Sequence, residues 1–178
     1  MTTFPGRASV TYITQGEQAI GRREADVIST TLGSCVAVCL WDPVQGLGGM
    51  NHILLPEAPL NRTSLVNVGA TAMDRLVNAL LKAGCDRRRF RAKIFGGSAM
   101  VAGLSDIGVR NVAFARDWLT AEGVPCDGES VGGRLARQVR FWPATGRAQQ
   151  KLVSGAEAAV PDRPAPPRPA DEGEVELF

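Results

Sequence analysis

Two apolar segments separated by a short turn constrain the fold of this chain more than any other feature. Residues 34–42 read SCVAVCLWD and residues 48–56 read GGMNHILLP, with Gly33, Pro43 and Pro56 at their limits. Short apolar runs bounded by glycine and proline are typical of buried strands. The intervening DPVQG has the composition of a turn, so the sequence predicts a β-hairpin. Such a hairpin would bring residues that are far apart in sequence side by side.

Strands and helices alternate in the rest of the chain. Residues 66–84 have apolar side chains at helical spacing and end in Gly84, and residues 111–123 begin with Asn111, a capping-type residue, and end in Gly123. The alternating or short apolar segments 9–14, 89–97, 124–133 and 135–146 favour strands. The sequence therefore predicts a single-domain α/β fold, a layered sandwich in which two principal helices pack against sheet.

Composition changes near residue 155. Five of the eleven prolines lie within residues 161–169, and proline fixes φ and removes a backbone donor. We therefore expect a globular domain over residues 1–155 and a Pro-rich, disordered or extended tail over residues 156–178. The final GEVELF could be a docking peptide, although a loose terminus is the simpler interpretation.

Several classes of protein are disfavoured by the composition. No apolar run approaches the roughly 18 residues of a membrane span, and MTTFPGRASV lacks the pattern of a secretory signal. We therefore expect a cytoplasmic protein that does not insert into a membrane. The four cysteines include no CxxC pair and the chain has one histidine, which favours free thiols and no metal site.

The densest basic run, DRRRFRAK at 86–93, is the one feature that could suggest an acidic or phosphate-bearing partner. A single run of this kind is more often a solvated face. Aromatic residues make up 6% of the chain, and no nucleic-acid-binding motif accompanies the run. We therefore expect no nucleic acid among the partners.

Cys35 and His52 are the candidate reactive pair. Cys35 follows Gly33 and Ser34 at the start of an apolar strand, where nearby backbone N–H groups can lower a thiol pKa and hold an oxyanion. His52 is the only imidazole available for base catalysis at neutral pH. The simpler alternatives are a small buried cysteine and a structural histidine. Cys39, four residues after Cys35, is expected to lie in the core.

A third group should orient the imidazole. Hydroxyls are available from Ser29, Thr30 and Thr31, and carboxylates from Asp26 and Asp42. The pattern alone does not choose among these five. The glycine-rich FGGSAM at 95–100 could cradle an anion, although a strand-to-helix turn is the more ordinary interpretation.

The combination of these motifs resembles the CheD family of chemoreceptor glutamine deamidases. The resemblance extends from about residue 18 to residue 152 and is carried by TLGSCVAVCLWDPVQGLGGMNHILLPE, KIFGGSAM, IGVRN and VGGRLARQVRF, in that order. It implies an α/β sandwich whose active site is related to that of toxins that deamidate glutamine. It also implies a cytoplasmic enzyme of chemotaxis that needs no metal or cofactor.

The same resemblance implies a Cys-His-Thr site. By motif position the nucleophile is Cys35 and the base is His52, with Ser34 and Gly33 beside the oxyanion and the substrate. The threonine of the family lies six residues before the cysteine, where this chain has Ser29. Ser29 keeps the hydroxyl, and Thr30 or Thr31 could substitute for it.

The expected partners are the cytoplasmic domains of chemoreceptors, whose glutamines would be hydrolysed to glutamate and ammonia through a cysteine thioester. A CheC-type phosphatase is a further partner implied by the family. The main alternative is a non-enzymatic chemotaxis adaptor that binds receptors or such a phosphatase. A weaker alternative is a transglutaminase-like reaction, in which an amine resolves the thioester.

Overall fold

A computed structural model describes residues 9–55, 62–100, 105–154 and 175–178. These residues form two five-stranded sheets and two α-helices, which confirms the predicted layered α/β fold. The elements, in chain order, are β1 (Val10–Tyr12), β2 (Gln18–Gly21), β3 (Val27–Leu32), β4 (Val36–Asp42), β5 (Leu47–Asn51), α1 (Arg62–Lys82), β6 (Arg91–Gly96), α2 (Ser105–Ala121), β7 (Cys126–Val131), β8 (Ala136–Trp142), β9 (Arg147–Val153) and β10 (Val175–Leu177). A short 3₁₀ helix, Arg87–Arg89, precedes β6.

The two sheets stack to form a sandwich, and both helices lie on the outer side of one sheet. The first sheet has the order β1-β3-β8-β9-β10 and the second the order β2-β5-β4-β6-β7. One hydrophobic core lies between the second sheet and the helices, and another lies between the two sheets. The second sheet is therefore covered on both faces.

The predicted hairpin is present as β4 and β5. The strands are antiparallel, with Cys39 opposite Met50 and Asp42 opposite Leu47. Asp42 caps the connecting turn by accepting hydrogen bonds from the backbone amides of Val44 (3.0 Å) and Gln45 (3.2 Å). The pairing resumes beyond β5, where Val36 and Ile53 exchange two backbone hydrogen bonds of 3.0 and 2.8 Å. This last pair places the residues around Cys35 next to those around His52.

Strand β4 is buried along its whole length. Val36, Val38 and Leu40 face the helices. Ala37, Cys39 and Trp41 face the other sheet. Because both faces of the strand are covered, its sequence is a continuous apolar run instead of an alternating one. The core position predicted for Cys39 is confirmed.

The basic run at 86–93 is paired with acidic residues of the same chain. The ion pairs are Arg87–Glu122, Arg88–Asp86, Arg89–Asp42 and Arg91–Asp127. Arg89 donates to the fully buried Asp42 carboxylate at 2.8 Å and so ties the 3₁₀ helix to the hairpin turn. The run therefore serves the fold, and its charge is largely compensated.

The second helix begins earlier than predicted. Helix α2 starts at Ser105, so Asn111 lies well inside it and does not cap it. The prediction of Asn111 as the cap is wrong because the side chain is fully buried and makes hydrogen bonds to two other segments. Helix α1 likewise starts at Arg62, four residues before the predicted start.

The end of the predicted tail, residues 175–178, packs against the domain and includes an extended strand. Strand β10 pairs with β9, with Val175 opposite Lys151 and Leu177 opposite Gln149. Phe178 packs edge-on against Phe95 at a ring distance of 5.6 Å. The remainder of the predicted tail, residues 156–174, lies outside the described residues.

Phe178 also satisfies a buried cation. Lys93 is 7% exposed, and its Nζ donates to the backbone oxygens of Gly146 (2.7 Å) and Phe178. Phe178 exchanges two further backbone hydrogen bonds with Ala148, of 3.2 and 3.3 Å. Because a buried ammonium group is costly without partners, residues 175–178 stabilise the edge of the sandwich.

None of the helices in the described part of the chain is long and apolar enough to cross a membrane.

We expect Phe178→Ala to lower the free energy of unfolding by about 1–3 kcal/mol, because it removes a ring packed against the core. Leu177→Ala is the matched control: Leu177 is the neighbouring residue and is 68% exposed, so its loss should change stability by less than about 0.5 kcal/mol. Urea unfolding monitored by circular dichroism measures both. Equal stability of the two variants would contradict the packing role of Phe178.

Candidate active site

Cys35 lies on a short loop between β3 and β4, at the end of the sandwich. Its side chain is partly buried and packs against the core between the two sheets. Burial raises the pKa of the Cys35 thiol, and the residue's own backbone N–H partly opposes this effect. The thiol is therefore protonated at neutral pH in the resting protein.

Three consecutive backbone carbonyls hold this loop in place. The carbonyl of Gly33 accepts a hydrogen bond from the amide of Ser98 (2.8 Å), and that of Cys35 accepts one from the amide of Gly97 (2.7 Å). The carbonyl of Ser34, between them, accepts from the Asn111 side chain at 2.7 Å. In a trans peptide the N–H points away from the preceding carbonyl. The amides of Ser34 and Cys35 are thereby turned away from these supporting groups.

The glycine pair at 96–97 makes this close support possible. Gly96 and Gly97 have φ values of 109° and 69°, in the left-handed region that favours glycine. A Cβ on Gly96 would lie 2.2 Å from the carbonyl oxygen of Cys35, which is backbone and cannot yield. The segment FGGSAM thus begins with the predicted turn. The amides of Gly97 and Ser98 bind carbonyls of the cysteine loop, which leaves neither of these amides free to cradle an anion.

Gly33 contributes space to the loop. It is absent from the described glycines with positive φ, so its backbone conformation does not require glycine. A Cβ at this position would lie 2.6 Å from Sδ of Met100. The small residue therefore lets the Met100 side chain lie against the cysteine loop.

His52 follows β5 and is fixed by backbone and side-chain hydrogen bonds. Its amide donates to the carbonyl of Glu17 (3.0 Å), and its carbonyl accepts from the amide of Gly16 (2.9 Å). The ring is 7% exposed, and Nδ1 lies 2.8 Å from Oγ1 of Thr30. The imidazole is therefore held in one position at the edge of the inter-sheet core.

The hydrogen bonds of Thr30 assign the tautomer of His52. Oγ1 of Thr30 lies 2.7 Å from the carbonyl oxygen of Ile13, which can only accept, so the hydroxyl proton is donated there. Oγ1 must then accept from Nδ1–H of the imidazole. This leaves Nε2 of His52 with a lone pair, and within the described residues this buried atom has no hydrogen-bond partner. Nε2 is thus free to take a proton.

Cys35 and His52 lie on the same face of the sheet. Val36 and Ile53 are directly opposite each other, and both face the helices. Side chains alternate along a strand, so Cys35 and His52 both point the other way, towards the inter-sheet side. The two residues are diagonal neighbours across an antiparallel pair. The backbones of such neighbours are typically about 7–8 Å apart, and long side chains can bridge this distance. The predicted proximity of thiol and imidazole is consistent with this register.

The hydroxyl beside the imidazole belongs to Thr30, one of the alternatives to Ser29. Ser29 is fully buried, but its Oγ donates to the carbonyl of Val139 at 3.1 Å. Because neighbouring residues of β3 point to opposite faces, Ser29 and Thr30 cannot both face His52. Counting residues back from the cysteine selects Ser29, whereas the strand alternation selects Thr30.

The two carboxylates considered for the orienting role are engaged elsewhere. Asp26 binds the side chains of Ser9 and Arg23, both at 2.8 Å. Asp42 lies at the other end of β4 and binds Arg89. The orienting group at the imidazole is therefore an uncharged hydroxyl.

Burial keeps the imidazole neutral. It lowers the pKa of His52 to about 4, and the charge of Glu17 only partly opposes this effect. With a protonated thiol and a neutral imidazole, the resting pair carries no net charge at neutral pH. Such a pair can act by general base catalysis, in which the proton moves as the sulfur attacks.

All four cysteines are free thiols, as predicted. Among residues 9–55, 62–100, 105–154 and 175–178, no group of three His, Cys, Asp or Glu side chains could hold a metal ion.

Sequence reasoning missed the role of Asn111 at this site. Its amide group reaches both the carbonyl of Ser34 and the backbone N–H of Leu55. The available signal was the position of Asn111 in an otherwise apolar helical stripe that includes Val112 and Ala115, both buried. A polar residue at the edge of such a stripe indicates a buried polar role.

We expect the protein to lose stability as the pH falls from about 6.5 to about 4, and His52→Gln to remove much of this loss. In that range an unfolded imidazole binds a proton that the folded one refuses, so the unfolded state is favoured by up to roughly 3 kcal/mol. His52 is the only histidine, which isolates its effect. Urea unfolding at several pH values measures the difference between the two proteins. Parallel stability curves would contradict a buried neutral imidazole.

Comparison with known proteins agrees with the motifs. Residues 54–152 match the family model described as CheD chemotactic sensory transduction. A protein from Caulobacter vibrioides (strain NA1000 / CB15N), named "Probable chemoreceptor glutamine deamidase CheD", is 46% identical over an alignment of 187 positions that covers 100% of both chains. A protein of the same name from Cereibacter sphaeroides (strain ATCC 17029 / ATH 2.4.9) is 48% identical over 154 residues, which are 86% of this chain and 77% of that one.

Among solved structures, the Bacillus licheniformis hypothetical protein YfiH is similar with a TM-score of 0.41 and 17% identity, over 69% of this chain and 59% of that chain. The family match and the full-length similarity to the Caulobacter protein are the stronger findings. On these two grounds the chain belongs to the CheD family, as its motifs predict.

Proposed function

We propose that this protein is a chemoreceptor glutamine deamidase that acts in chemotaxis, with Cys35 as nucleophile and His52 as base. Two relatives that align with most or all of this chain are named as probable chemoreceptor glutamine deamidases. The observation that supports the chemistry best is the Thr30–His52 hydrogen bond. It presents the unprotonated Nε2 of the only histidine on the face of the sheet that carries the half-buried Cys35.

The first half of the reaction forms a thioester and releases ammonia. As Sγ of Cys35 attacks the side-chain carbonyl carbon of a receptor glutamine, Nε2 of His52 takes the thiol proton. The amides of Cys35 and Ser34, beside Gly33, bind the negative oxygen of the tetrahedral intermediate. The imidazolium then gives its proton to the leaving nitrogen, the C–N bond breaks and ammonia departs.

The second half restores the enzyme. His52 takes a proton from a water molecule, whose oxygen attacks the thioester carbon. The C–S bond breaks, the proton returns to the sulfur of Cys35, and the glutamine has become glutamate. Each step uses groups of this chain, the substrate and water, so the proposed reaction needs no added cofactor. The new negative charge on the receptor is what would alter signalling.

Thr30 is the proposed positioning residue of this pair. Its hydroxyl fixes the Nδ1–H tautomer and adds no charge next to the ring. An aspartate in the same place would stabilise the imidazolium and raise the pKa of the base. A neutral hydroxyl keeps the base poised to accept a proton and also to release it to ammonia.

We expect wild-type protein to convert specific glutamines of purified chemoreceptor cytoplasmic fragments to glutamate. Cys35→Ala and His52→Ala should lower the rate by roughly 10³-fold or more, because they remove the nucleophile and the base. Peptide mass spectrometry with ammonia detection measures the conversion. Unchanged receptors after incubation with reduced wild-type protein would refute the deamidase and favour an adaptor. Receptor binding, and any binding of a CheC-type phosphatase, should survive Cys35→Ala.

We also expect Thr30→Ala to lower kcat by about 10–10²-fold and Thr30→Ser to retain most activity, since serine keeps the hydroxyl. Ser29→Ala is the matched control, because the Ser29 hydroxyl binds the carbonyl of Val139 on the other face of β3. The same deamidation assay applies to all three variants. A greater loss in Ser29→Ala than in Thr30→Ala would show that counting from the cysteine, and not strand alternation, identifies the orienting residue.

A further inference from the structure

Asn111 connects the two halves of the site from the helix layer. It is fully buried on α2. Its Nδ2 donates to the carbonyl of Ser34 at 2.7 Å, next to the nucleophile, and its Oδ1 accepts from the amide of Leu55 at 3.0 Å, three residues after the base. One of these segments precedes β4 and the other follows β5, and a single side chain binds both.

The bond to Ser34 also sets the direction of an amide. The carbonyl of Ser34 and the N–H of Cys35 belong to one planar trans peptide, so fixing the first fixes the second. With the carbonyl held by Asn111, the N–H of Cys35 is directed to the opposite side, next to its own sulfur, where it lowers the pKa of the thiol. The orientation of this amide therefore depends on a side chain more than seventy residues away in the sequence.

Close packing of α2 makes the contact possible. Gly108 lies one helical turn before Asn111, on the same face of the helix. A Cβ on Gly108 would lie 2.4 Å from the carbonyl oxygen of Gly97, which is part of the turn that supports the cysteine loop. Val112 packs on the same turn, 2.3 Å from where a Cβ of Gly97 would be. The backbone of α2 therefore lies close to the turn that supports the cysteine loop. This places the Asn111 side chain within hydrogen-bonding distance of Ser34.

We infer that Asn111 is a positioning residue, which orients the Cys35 amide as an oxyanion donor and holds the cysteine loop and the histidine segment in register. The oxyanion part of this inference rests on the proposed deamidation. The positioning of the loop rests on the two hydrogen bonds alone. The carbonyl of Ser34 is bound by Asn111 of α2, and the flanking carbonyls of Gly33 and Cys35 are bound by the amides of the Gly97–Ser98 turn.

The test uses two variants of nearly the same size. Asn111→Leu removes both hydrogen bonds without adding charge. Asn111→Asp keeps the acceptor for the Leu55 amide and loses the donor to Ser34, so it serves if the leucine variant does not fold. Asp42→Asn is the control, because it breaks a buried ion pair at the other end of β4, roughly 23 Å along the strand.

On purified receptor fragments we expect both Asn111 variants to lower kcat by about 10²-fold with KM within twofold of wild type, because an oxyanion donor acts in the transition state. Asp42→Asn should lower the unfolding midpoint and leave kcat unchanged in the folded protein. A raised KM with unchanged kcat, or kcat within twofold of wild type in folded variants, would overturn the inference.

A second readout does not depend on the reaction. Alkylation by iodoacetamide, followed by peptide mapping against pH, reports the reactivity of Cys35, with the exposed Cys126 as an internal standard. Loss of the oriented amide should move the alkylation midpoint of Cys35 to higher pH and leave that of Cys126 in place. If wild type does not deamidate receptors but this shift occurs, the proposed function fails and the positioning role stands. Superimposable Cys35 profiles would refute that role.

Discussion

Strand β4 is buried on both faces, and the position of the site depends on this constraint. Helices α1 and α2 cover one face and the other sheet covers the opposite one. The cysteine loop ends at the first residue of this strand, so the backbone of Cys35 has a fixed direction. The Cys35 side chain lies in a partly apolar environment. Pairing of Val36 with Ile53 extends that order to the segment of His52. A thiol at the start of a strand that is covered on both faces has little freedom to move.

The hairpin and the helix-on-sheet layering could be predicted because each rests on local signals, namely apolar runs and turn residues. The identity of the orienting hydroxyl could not. Ser29 and Thr30 are adjacent and chemically similar, and their difference arises from the face of β3 on which each lies. That face depends on the pairing of β3 with β1 and β8, which local sequence does not reveal.

Two other outcomes depend on contacts between distant segments. Asn111 has the composition of a helix cap, but tertiary packing extends α2 upstream and turns the residue inward. Residues 175–178 follow a proline-rich stretch that indicates no packed structure, yet they add a strand to β9 and cover Phe95. In both cases the partner groups lie dozens of residues away, so no window of local sequence contains the information.

The uncharged state of the resting pair follows from the same burial that fixes its geometry. An apolar environment disfavours both the thiolate and the imidazolium, and the neutral Thr30 hydroxyl compensates neither. Under the proposed reaction, charge appears only when the substrate carbonyl accepts it, and the oriented amides of the cysteine loop are the groups that meet that charge. The product carboxylate then faces a neutral imidazole and not a cation, so no ion pair retains it. A site of this kind concentrates its electrostatic stabilisation in the transition state, which is where it accelerates the reaction.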